Sequence, residues 1–467
     1  MAVVTSAPKV HPKGPPIIAR GLLWFGGGAL FLCYLGQTVL GVIQPTIHAD
    51  LRLDPSQEQW VVNSFFLALA LFAAPGGRLG DYYGHRRVLI VALVMVALGS
   101  VSAAVAGGFA WLVGSIGLVG AGAASLYPSS AALVANSVEP EVRGRAIGQY
   151  SAIGVSVFAI GPLAAGVLTE AISWRALFVL QAVLAVGLVA FGARFVGERA
   201  AGSPRRFDTR GLVVLVVGLT AVLVALMQAL TWGWDSPATL LLLGFGLIIL
   251  AVFGAGEART RDPLLDVRLL RARGFRNIVL AMFAAQFMLS SFTIYLATYL
   301  QHVLGFGALL ASVAMLPAFG LSPLNAAVSG RMTDRFGARV LAIGGYGLAA
   351  VGLVWVAISI DASNYWLLVP GLLALAVGAG PMFTSLLTAL SGAVDAEERG
   401  DANALVLTIR WIGAAAGTMA LGIVVHSGER HGVPTSSAYL RAFLIDAAVT
   451  GLGLLVCLGL ERGPAVS

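Results

Sequence analysis

Fourteen apolar stretches constrain the fold of this chain more than any other feature of its sequence. Each is about 18–25 residues long, which is the length that a helix needs to cross the hydrocarbon core of a bilayer. A helix satisfies its own backbone hydrogen bonds, so it is stable where water is absent. The sequence therefore predicts an all-α membrane protein with spans at roughly 22–44, 58–76, 88–107, 110–134, 146–168, 175–195, 211–231, 238–255, 277–300, 308–329, 339–360, 366–390, 402–425 and 438–460.

The distribution of charge predicts the orientation of the chain. Only 11% of the 467 residues are charged, against about 25% in soluble proteins. All but five of the 29 lysines and arginines fall in loops on one side of the predicted spans. Such an excess marks the cytoplasmic side, so we expect a multi-pass protein of the inner (cytoplasmic) cell membrane with both termini in the cytoplasm. The net charge of +7 then indicates contact with anionic membrane lipids rather than with nucleic acid.

A short polar stretch occurs twice in the chain. Residues 77–87 read GRLGDYYGHRR and follow span two, and residues 330–339 read GRMTDRFGAR and follow span ten. Gly, Arg, Asp, Gly and Arg recur at identical spacing, which indicates two related halves. Repeats of this kind place the binding site of many transporters at the repeat interface. The alternative interpretation is a tight charged turn with no further role, but such a turn does not require the same five residues twice.

The position of the second copy predicts the domain organisation. A plain duplication of six spans would place it after span eight, so two extra spans lie between the halves. We predict a disordered cytoplasmic tail over residues 1–20, an N-terminal six-helix bundle over 21–196, a linker with two additional transmembrane helices and a basic amphipathic segment over 197–276, and a C-terminal six-helix bundle over 277–461.

The repeated pattern, G-x-L-x-D-x-x-G-x-R-R in its first copy, resembles the signature loop of the major facilitator superfamily. The fourteen-span layout resembles the drug:proton antiporter branch of that family, the multidrug efflux type, over about residues 20–460. This resemblance implies the major facilitator fold, in which two bundles alternate access to a central site and the repeated turns latch their cytoplasmic ends. The gating residues that it implies are Gly77, Asp81, Gly84, Arg86, Gly330, Asp334, Gly337 and Arg339, with Arg86, Arg143 and Arg145 as candidate partners of Asp81.

Span five carries a second element of the resemblance. Gly161-Pro162 and Gly166 are similar to the antiporter motif G-P-x-x-G-G, with Ala165 in place of the first paired glycine. Glycine permits close helix contact and proline bends a helix, so Gly161 and Pro162 are further gating candidates. Ordinary packing of small residues is the alternative.

Two ionisable side chains, Arg410 and Asp446, lie inside predicted spans, where each is energetically costly. Each lies about eight residues from a span end, ~12 Å deep from opposite faces, so in a core of ~30 Å their depths differ by only ~6 Å. We expect either a pair between spans thirteen and fourteen, or Arg410 bonded to carbonyls and Asp446 free to titrate. A static pair and a proton-carrying pair are both open.

The sequence departs from the family at the usual proton-coupling positions. Many members have Asp in the span-one motif L-D-x-T, where this chain reads Leu35-Gly36-Gln37-Thr38. Many also have Arg and Gln in the span-four motif R-x-x-Q-G-x-G, where this chain has Ile116–Gly122 without either. Conventional proton coupling is therefore in question.

The resemblance places spans one, four, nine and twelve around the central path, with spans two and five contributing. Their amide, hydroxyl and aromatic side chains predict a cavity without fixed charge, which suits a hydrophobic or amphipathic substrate. For any single residue, a hydrogen bond between helices is the alternative role. The predicted cavity residues are Tyr34, Gln37, Gln44, Asn63, Tyr127, Tyr150, Gln286, Ser290, Thr293, Tyr295, Phe383 and Thr384.

Motifs of other function classes are missing from the sequence. The phosphate-binding pattern G-x-x-x-x-G-K-[ST] does not occur, and no His, Cys, Asp and Glu cluster has metal-ligand spacing. We predict a transporter that uses no cofactor or nucleotide and is not an enzyme. It exports a hydrophobic or amphipathic small molecule, with proton antiport as an open question. The alternatives are a lipid or metabolite transporter without conventional proton coupling, and a transporter-like membrane sensor that moves nothing.

Overall fold

A computed structural model describes residues 17–138, 143–196, 208–233, 235–260, 263–362, 364–395, 398–430 and 435–460. Within these ranges, fourteen helical segments are long and apolar enough to cross a membrane, which confirms the predicted all-α fold and the number of spans. Most of the predicted N-terminal tail lies outside the described residues.

Twelve of the spans are single continuous helices, whereas spans five and ten are each built from shorter pieces. The helices, in chain order, are Ile17–Leu51, Pro55–Tyr83, His85–Ala104, Phe109–Ala135, Arg143–Val155 with Val157–Ala171 for span five, Trp174–Phe195, Thr209–Trp232, Pro237–Glu257, Arg273–His302, Ala308–Ala314 with Leu316–Phe319 and Ser322–Phe336 for span ten, Ala338–Ser359, Tyr365–Ala393, Arg399–Arg430 and Thr435–Leu458.

The repeated polar stretches are helical rather than loops between spans. Span two begins with a capping box, in which the Asp54 carboxylate accepts from the backbone of Ser56 and Gln57, and continues to Tyr83. The chain turns only at Gly84, which has φ 92°. Span ten likewise ends at Phe336, and Gly337 has φ 81°. Side chains disfavour this left-handed region, so one glycine suffices to end each helix and start the next.

Proline explains the interruptions of span ten. Pro317 and Pro323 each remove a backbone donor from the helix, and the helix breaks beside both, at Met315 and between Phe319 and Ser322. The Ser322 hydroxyl donates to the Phe319 carbonyl at 2.6 Å, which satisfies an acceptor that Pro323 leaves without its usual partner. In span five the break lies at Ser156, ahead of the predicted hinge at Gly161 and Pro162.

The two halves of the chain repeat the same packing. Span three packs closely on span four, as span eleven does on span twelve. Span one packs on span five as span nine does on span thirteen, and span three on span six as span eleven does on span fourteen. These matched neighbours define two six-helix bundles related by pseudo-twofold correspondence.

In the part of the chain that the structure describes, three pairs of helices make most of the contacts between the bundles: spans one and nine, two and thirteen, and five and ten. The pairing is symmetric. Span two corresponds to span ten and span thirteen to span five, so the second pair and the third pair are equivalent. Span one and span nine approach closely at Gly41, where an added β-carbon would lie 2.8 Å from the backbone of Ile294. Spans seven and eight pack on each other, and span seven contacts spans two and thirteen.

The segment after span eight, predicted as basic and amphipathic, contains a five-residue 3-10 helix, Val267–Arg271. Asp266 caps it by accepting from the backbone of Arg268 at 3.0 Å. The Arg268 guanidinium also donates to both oxygens of Asp266, and these hydrogen bonds lower the pKa of the carboxyl below its usual value. The pair therefore stays ionised over the physiological pH range.

Candidate functional site

A chain of hydrogen bonds crosses the centre of the bundle interface. Arg410 of span thirteen donates to the Gln286 side-chain oxygen of span nine at 2.8 Å. The Gln286 amide nitrogen donates to Ser290 at 3.1 Å and, more weakly, to the side-chain oxygen of Gln37 in span one at 3.4 Å. Gln37, Gln286 and Ser290 are fully buried. Three of the predicted cavity residues therefore meet, and they face the protein interior rather than lipid.

Aromatic rings surround this chain of hydrogen bonds. The Tyr34 ring lies 6.3 Å from that of Tyr127, 5.5 Å from Phe158 and 6.1 Å from Trp411. The Arg410 guanidinium carbon lies 5.8 Å from the Tyr127 ring centre and 5.3 Å from that of Phe383. Tyr127 and Phe383 are only half-buried. We call these residues, together with Arg410, Gln37 and Gln286, the central site.

The expected cavity without fixed charge is wrong, because Arg410 lies inside the central site. Its side chain was expected either to pair with Asp446 or to bond to backbone carbonyls, and the structure contradicts both expectations. Asp446 accepts from Ser291 at 2.7 Å within the C-terminal bundle, while Arg410 bonds to a side-chain amide rather than to backbone carbonyls. The predicted pair rested on depth in the bilayer alone. Two residues at equal depth need not lie on the sides of their helices that face each other.

Other predicted cavity residues bond to neighbouring helices or within their own helix instead. The Thr418 hydroxyl donates to Asn63 at 2.8 Å and thereby links the bundles. Tyr150 bonds to Ser130 at 2.8 Å within the N-terminal bundle. The Thr293 hydroxyl donates to its own helix. Thr384 is half-buried beside Phe383.

A separate cavity of about 160 Å³ lies near the end of the bundles where span one meets span two, which we call the opposite face. It is lined by residues of spans one, two, nine, thirteen and fourteen, including the predicted Gln44 and Tyr295. Tyr295 also donates to the Thr418 carbonyl at 3.0 Å. The remaining lining residues are His48, Glu58, Thr298, His302, Val425, His426 and Tyr439.

Ionisable groups are concentrated in this opposite-face cavity. Glu58 is 6% exposed, and its carboxylate lies 3.0 Å from Nδ1 of His48. Nδ1 of His426 lies 3.1 Å from the Gln59 amide nitrogen, across the bundle interface. Scattered histidines in a sequence give no indication that they meet, so the sequence analysis did not find this cluster.

The end of the bundles that carries Gly84 and Gly337, which we call the turn face, is closed by an ion pair that the sequence analysis also missed. Arg78 of the first repeated stretch contacts Asp401 at the start of span thirteen at 2.8 Å. Arg78 also donates to the carbonyl of Pro263 at 2.6 Å. The pair joins the two bundles, and both side chains are largely buried, at 14% and 15% exposure.

The other predicted gating residues have local partners. Arg86 donates to the carbonyls of Gly192 and Ala193 at the end of span six, and Arg339 donates to that of Leu458 at the end of span fourteen. Asp81 lies 3.5 Å from Nε2 of His85. The side chains of Asp334 and Arg143 lie outside what the structure describes. Gly77 is half-buried against Pro128, and Gly330 has open space beside it.

Glycines of span five contact both bundles. An added β-carbon at Gly161 would lie 2.6 Å from the Thr38 hydroxyl of span one. At Gly166 it would lie 2.8 Å from the Ala308 carbonyl of span ten. The motif residues therefore permit close approach at the interface, and their role as a hinge stays a prediction.

The family's span-one carboxylate has no substitute at its own position. Gly36 occupies it, and an added β-carbon there would lie 2.5 Å from the Phe65 ring. Ile116 and Val119, which align with the family's span-four Arg and Gln, are buried. Apolar packing fills both places.

The fold and the site together define a membrane transporter with two pseudo-symmetric bundles and a polar centre between them. The profile of the Major Facilitator Superfamily matches residues 27–418 and 322–466, and this protein belongs to that family. It is therefore a secondary transporter and not an enzyme.

Similar proteins fall in the drug-efflux branch of the family. The chain is 32% identical over 463 residues to the cephamycin export protein CmcT of Amycolatopsis lactamdurans, covering 98% of this chain and 95% of that protein. It is 31% identical over 405 residues to the puromycin resistance protein pur8 of Streptomyces alboniger, covering 85% and 80%. The crystal structure of the human organic anion transporter MFSD10 shares the fold, with a TM-score of 0.66, 17% identity and coverage of 95% and 100%.

Proposed function

We propose that this protein exports a small amphipathic organic compound across the cytoplasmic membrane, with the turn face in the cytoplasm. The central site is the observation that carries the proposal, because buried amides, a guanidinium and aromatic rings meet between the two bundles. A site between bundles can face either side of the membrane when the bundles rock against each other. The relatives named for export and resistance support the outward direction.

The cross-bundle ion pair favours transport over the alternative of a sensor that moves nothing. Arg78 and Asp401 can meet only while the turn face is closed, so their contact is specific to one conformation. A reversible contact of this kind has a use in a protein that alternates between states.

Efflux from cells tests the proposal. Cells that express the protein should accumulate less of a fluorescent aromatic compound than cells without it, in a panel of anionic, neutral and cationic probes. Tyr34→Ala removes the ring that contacts three other aromatic side chains of the site, and we expect it to lower the export rate at least fivefold. Trp366→Ala, at a side chain that is 75% exposed, is the control and should leave export unchanged. Equal accumulation of every probe in both kinds of cell would refute export of this class of compound.

Proton exchange is the coupling that the opposite-face cavity favours. Glu58 is a buried carboxyl group that lines a cavity, together with His48 from span one, His302 and Tyr295 from span nine, His426 from span thirteen and Tyr439 from span fourteen. Such a group can take up a proton from one side and release it when the cavity closes. Asp446 is a weaker candidate, since it is fully buried and does not line this cavity.

Vesicles with an imposed pH gradient distinguish the two carboxyl groups. We expect Glu58→Gln to abolish the dependence of export on the gradient, because an amide cannot exchange a proton. Asp446→Asn keeps the acceptor for Ser291 and should change the rate less than twofold. Gradient-driven export that survives Glu58→Gln and disappears in Asp446→Asn would reverse the assignment.

A further inference from the structure

We infer that the central site selects aromatic compounds that carry an anionic group, which the Arg410 guanidinium binds. This inference rests on the proposed function and names its substrate class.

Arg410 is a buried cation without a carboxylate partner among the described residues. It is 5% exposed, and it donates to the neutral amide of Gln286 at 2.8 Å and lies within hydrogen-bonding reach of the neutral hydroxyls of Tyr34 and Tyr127. The other groups that face it are the rings of Tyr34, Tyr127 and Phe383 and the thiol of Cys33. Asp446, the buried carboxyl group of span fourteen, bonds to Ser291 instead. Buried charges are normally paired, so the protein leaves a counter-ion to be supplied.

Unused hydrogen-bond donors accompany the unpaired charge. Nε of Arg410, the amide nitrogen of Gln37 and the indole nitrogen of Trp411 are buried and have no acceptor among the described residues. The Gln286 amide explains the orientation of Gln37: it donates to the Gln37 oxygen, so the Gln37 nitrogen is left for another partner. Native proteins rarely leave buried donors unsatisfied.

A carboxylate or sulfonate supplies both of the missing features. It brings a negative charge that balances the Arg410 guanidinium, and its oxygen atoms accept hydrogen bonds from several donors at once. The surrounding rings of Tyr34, Tyr127, Phe158 and Phe383 suit an aromatic body attached to the anion. A cationic compound would instead place two like charges in one buried site, which the same physics disfavours.

Two fluorescent probes that differ only in the anionic group test the inference. 1-Anilinonaphthalene-8-sulfonate is an aromatic anion, and N-phenyl-1-naphthylamine is the same ring system without the sulfonate. With purified protein in lipid nanodiscs and empty nanodiscs as the blank, we expect the sulfonate to bind at least tenfold more tightly. Arg410→Gln should weaken sulfonate binding at least tenfold and leave the neutral probe within twofold. Arg441→Gln, the same change at an exposed arginine, should alter neither.

Equal affinity of the two probes for the wild type, or a sulfonate preference that survives Arg410→Gln, would overturn the inference. Binding of the neutral probe reports whether Arg410→Gln still folds. If that variant cannot be purified, competition on the wild type decides: 1-naphthalenesulfonate should displace the bound dye and naphthalene should not, and equal displacement would refute selection of an anion.

In the efflux panel, export of neutral probes with exclusion of anionic ones would refute this inference while leaving export itself intact. If no probe is exported but the sulfonate still binds, the proposed export function is refuted and the selection of aromatic anions is not.

Discussion

The two repeated stretches share a sequence pattern and a turn, but among the described residues only the first forms an ion pair with the other bundle. Both end a helix at a glycine with positive φ, and in both the last conserved arginine donates to carbonyls at the end of the final span of its own bundle. Arg78 then crosses to Asp401 of the other bundle, whereas its counterpart Arg331 is exposed. Within the described residues, the repeat preserves the turn and differs in its contact with the other bundle, so we expect closure of the turn face to depend on Arg78 more than on Arg331.

The largest effect should come from removing that ion pair. Arg78→Gln removes the cross-bundle ion pair with Asp401, at a cost of about 2 kcal/mol to the closed state. We expect a fall in export rate of at least tenfold and greater reaction of cysteines placed on the turn face with a soluble maleimide. Arg331→Gln is the matched change in the second stretch and should have less than a twofold effect.

Exchanging the two charges tests whether the ion pair itself closes the turn face or whether each residue is required for another reason. The double variant Arg78→Asp with Asp401→Arg should recover part of the lost export and of the maleimide protection. If Arg78→Gln and Arg331→Gln have equal effects, the asymmetry between the stretches has no functional meaning.

An intermediate effect, equal in the two stretches, is expected at the turn glycines. Gly84→Ala and Gly337→Ala each force a side chain into the left-handed region, at a cost of ~1–2 kcal/mol. An added β-carbon meets nothing within 4 Å at either position, so the backbone conformation alone sets the cost. Thermal unfolding in detergent should show similar decreases in Tm, and a decrease at only one of the two positions would contradict the equivalence of the turns.

The smallest effect should come from the last conserved arginines. Arg86 donates to two carbonyls and Arg339 to one in the described contacts, each bond worth about 1 kcal/mol. Arg86→Gln should therefore lower Tm somewhat more than Arg339→Gln, and neither should change maleimide reaction at the turn face. A gain in reaction with either variant would place these arginines in the latch.

The spans could be predicted from the sequence because each follows from local composition. An apolar run of sufficient length becomes a helix in lipid whatever its neighbours are. The buried positions of Gln37 and Gln286 were predictable for the same reason, since polar groups that face lipid are penalised. The ends of spans two and ten were predicted about seven residues too early, because each helix continues through the polar stretch until a glycine ends it.

The partners of charged residues could not be predicted, because they depend on how helices are rotated and stacked. Arg410 was recognised as costly from its position in span thirteen, yet its contact with Gln286 depends on the facing of a helix more than a hundred residues away. The same applies to Arg78 and Asp401, and to Glu58 among its histidines. The sequence contains these residues as isolated charges, and only packing brings them together.

The interruptions of spans five and ten give the two outer seams of the bundle interface unequal stiffness. One seam joins the unbroken helices of spans two and thirteen, and the other joins helices that are both divided into pieces. A continuous helix resists bending along its whole length, whereas an interrupted helix bends at its breaks. When the bundles separate, we therefore expect the contact between spans five and ten to open more widely, so that a bulky substrate would leave on that side.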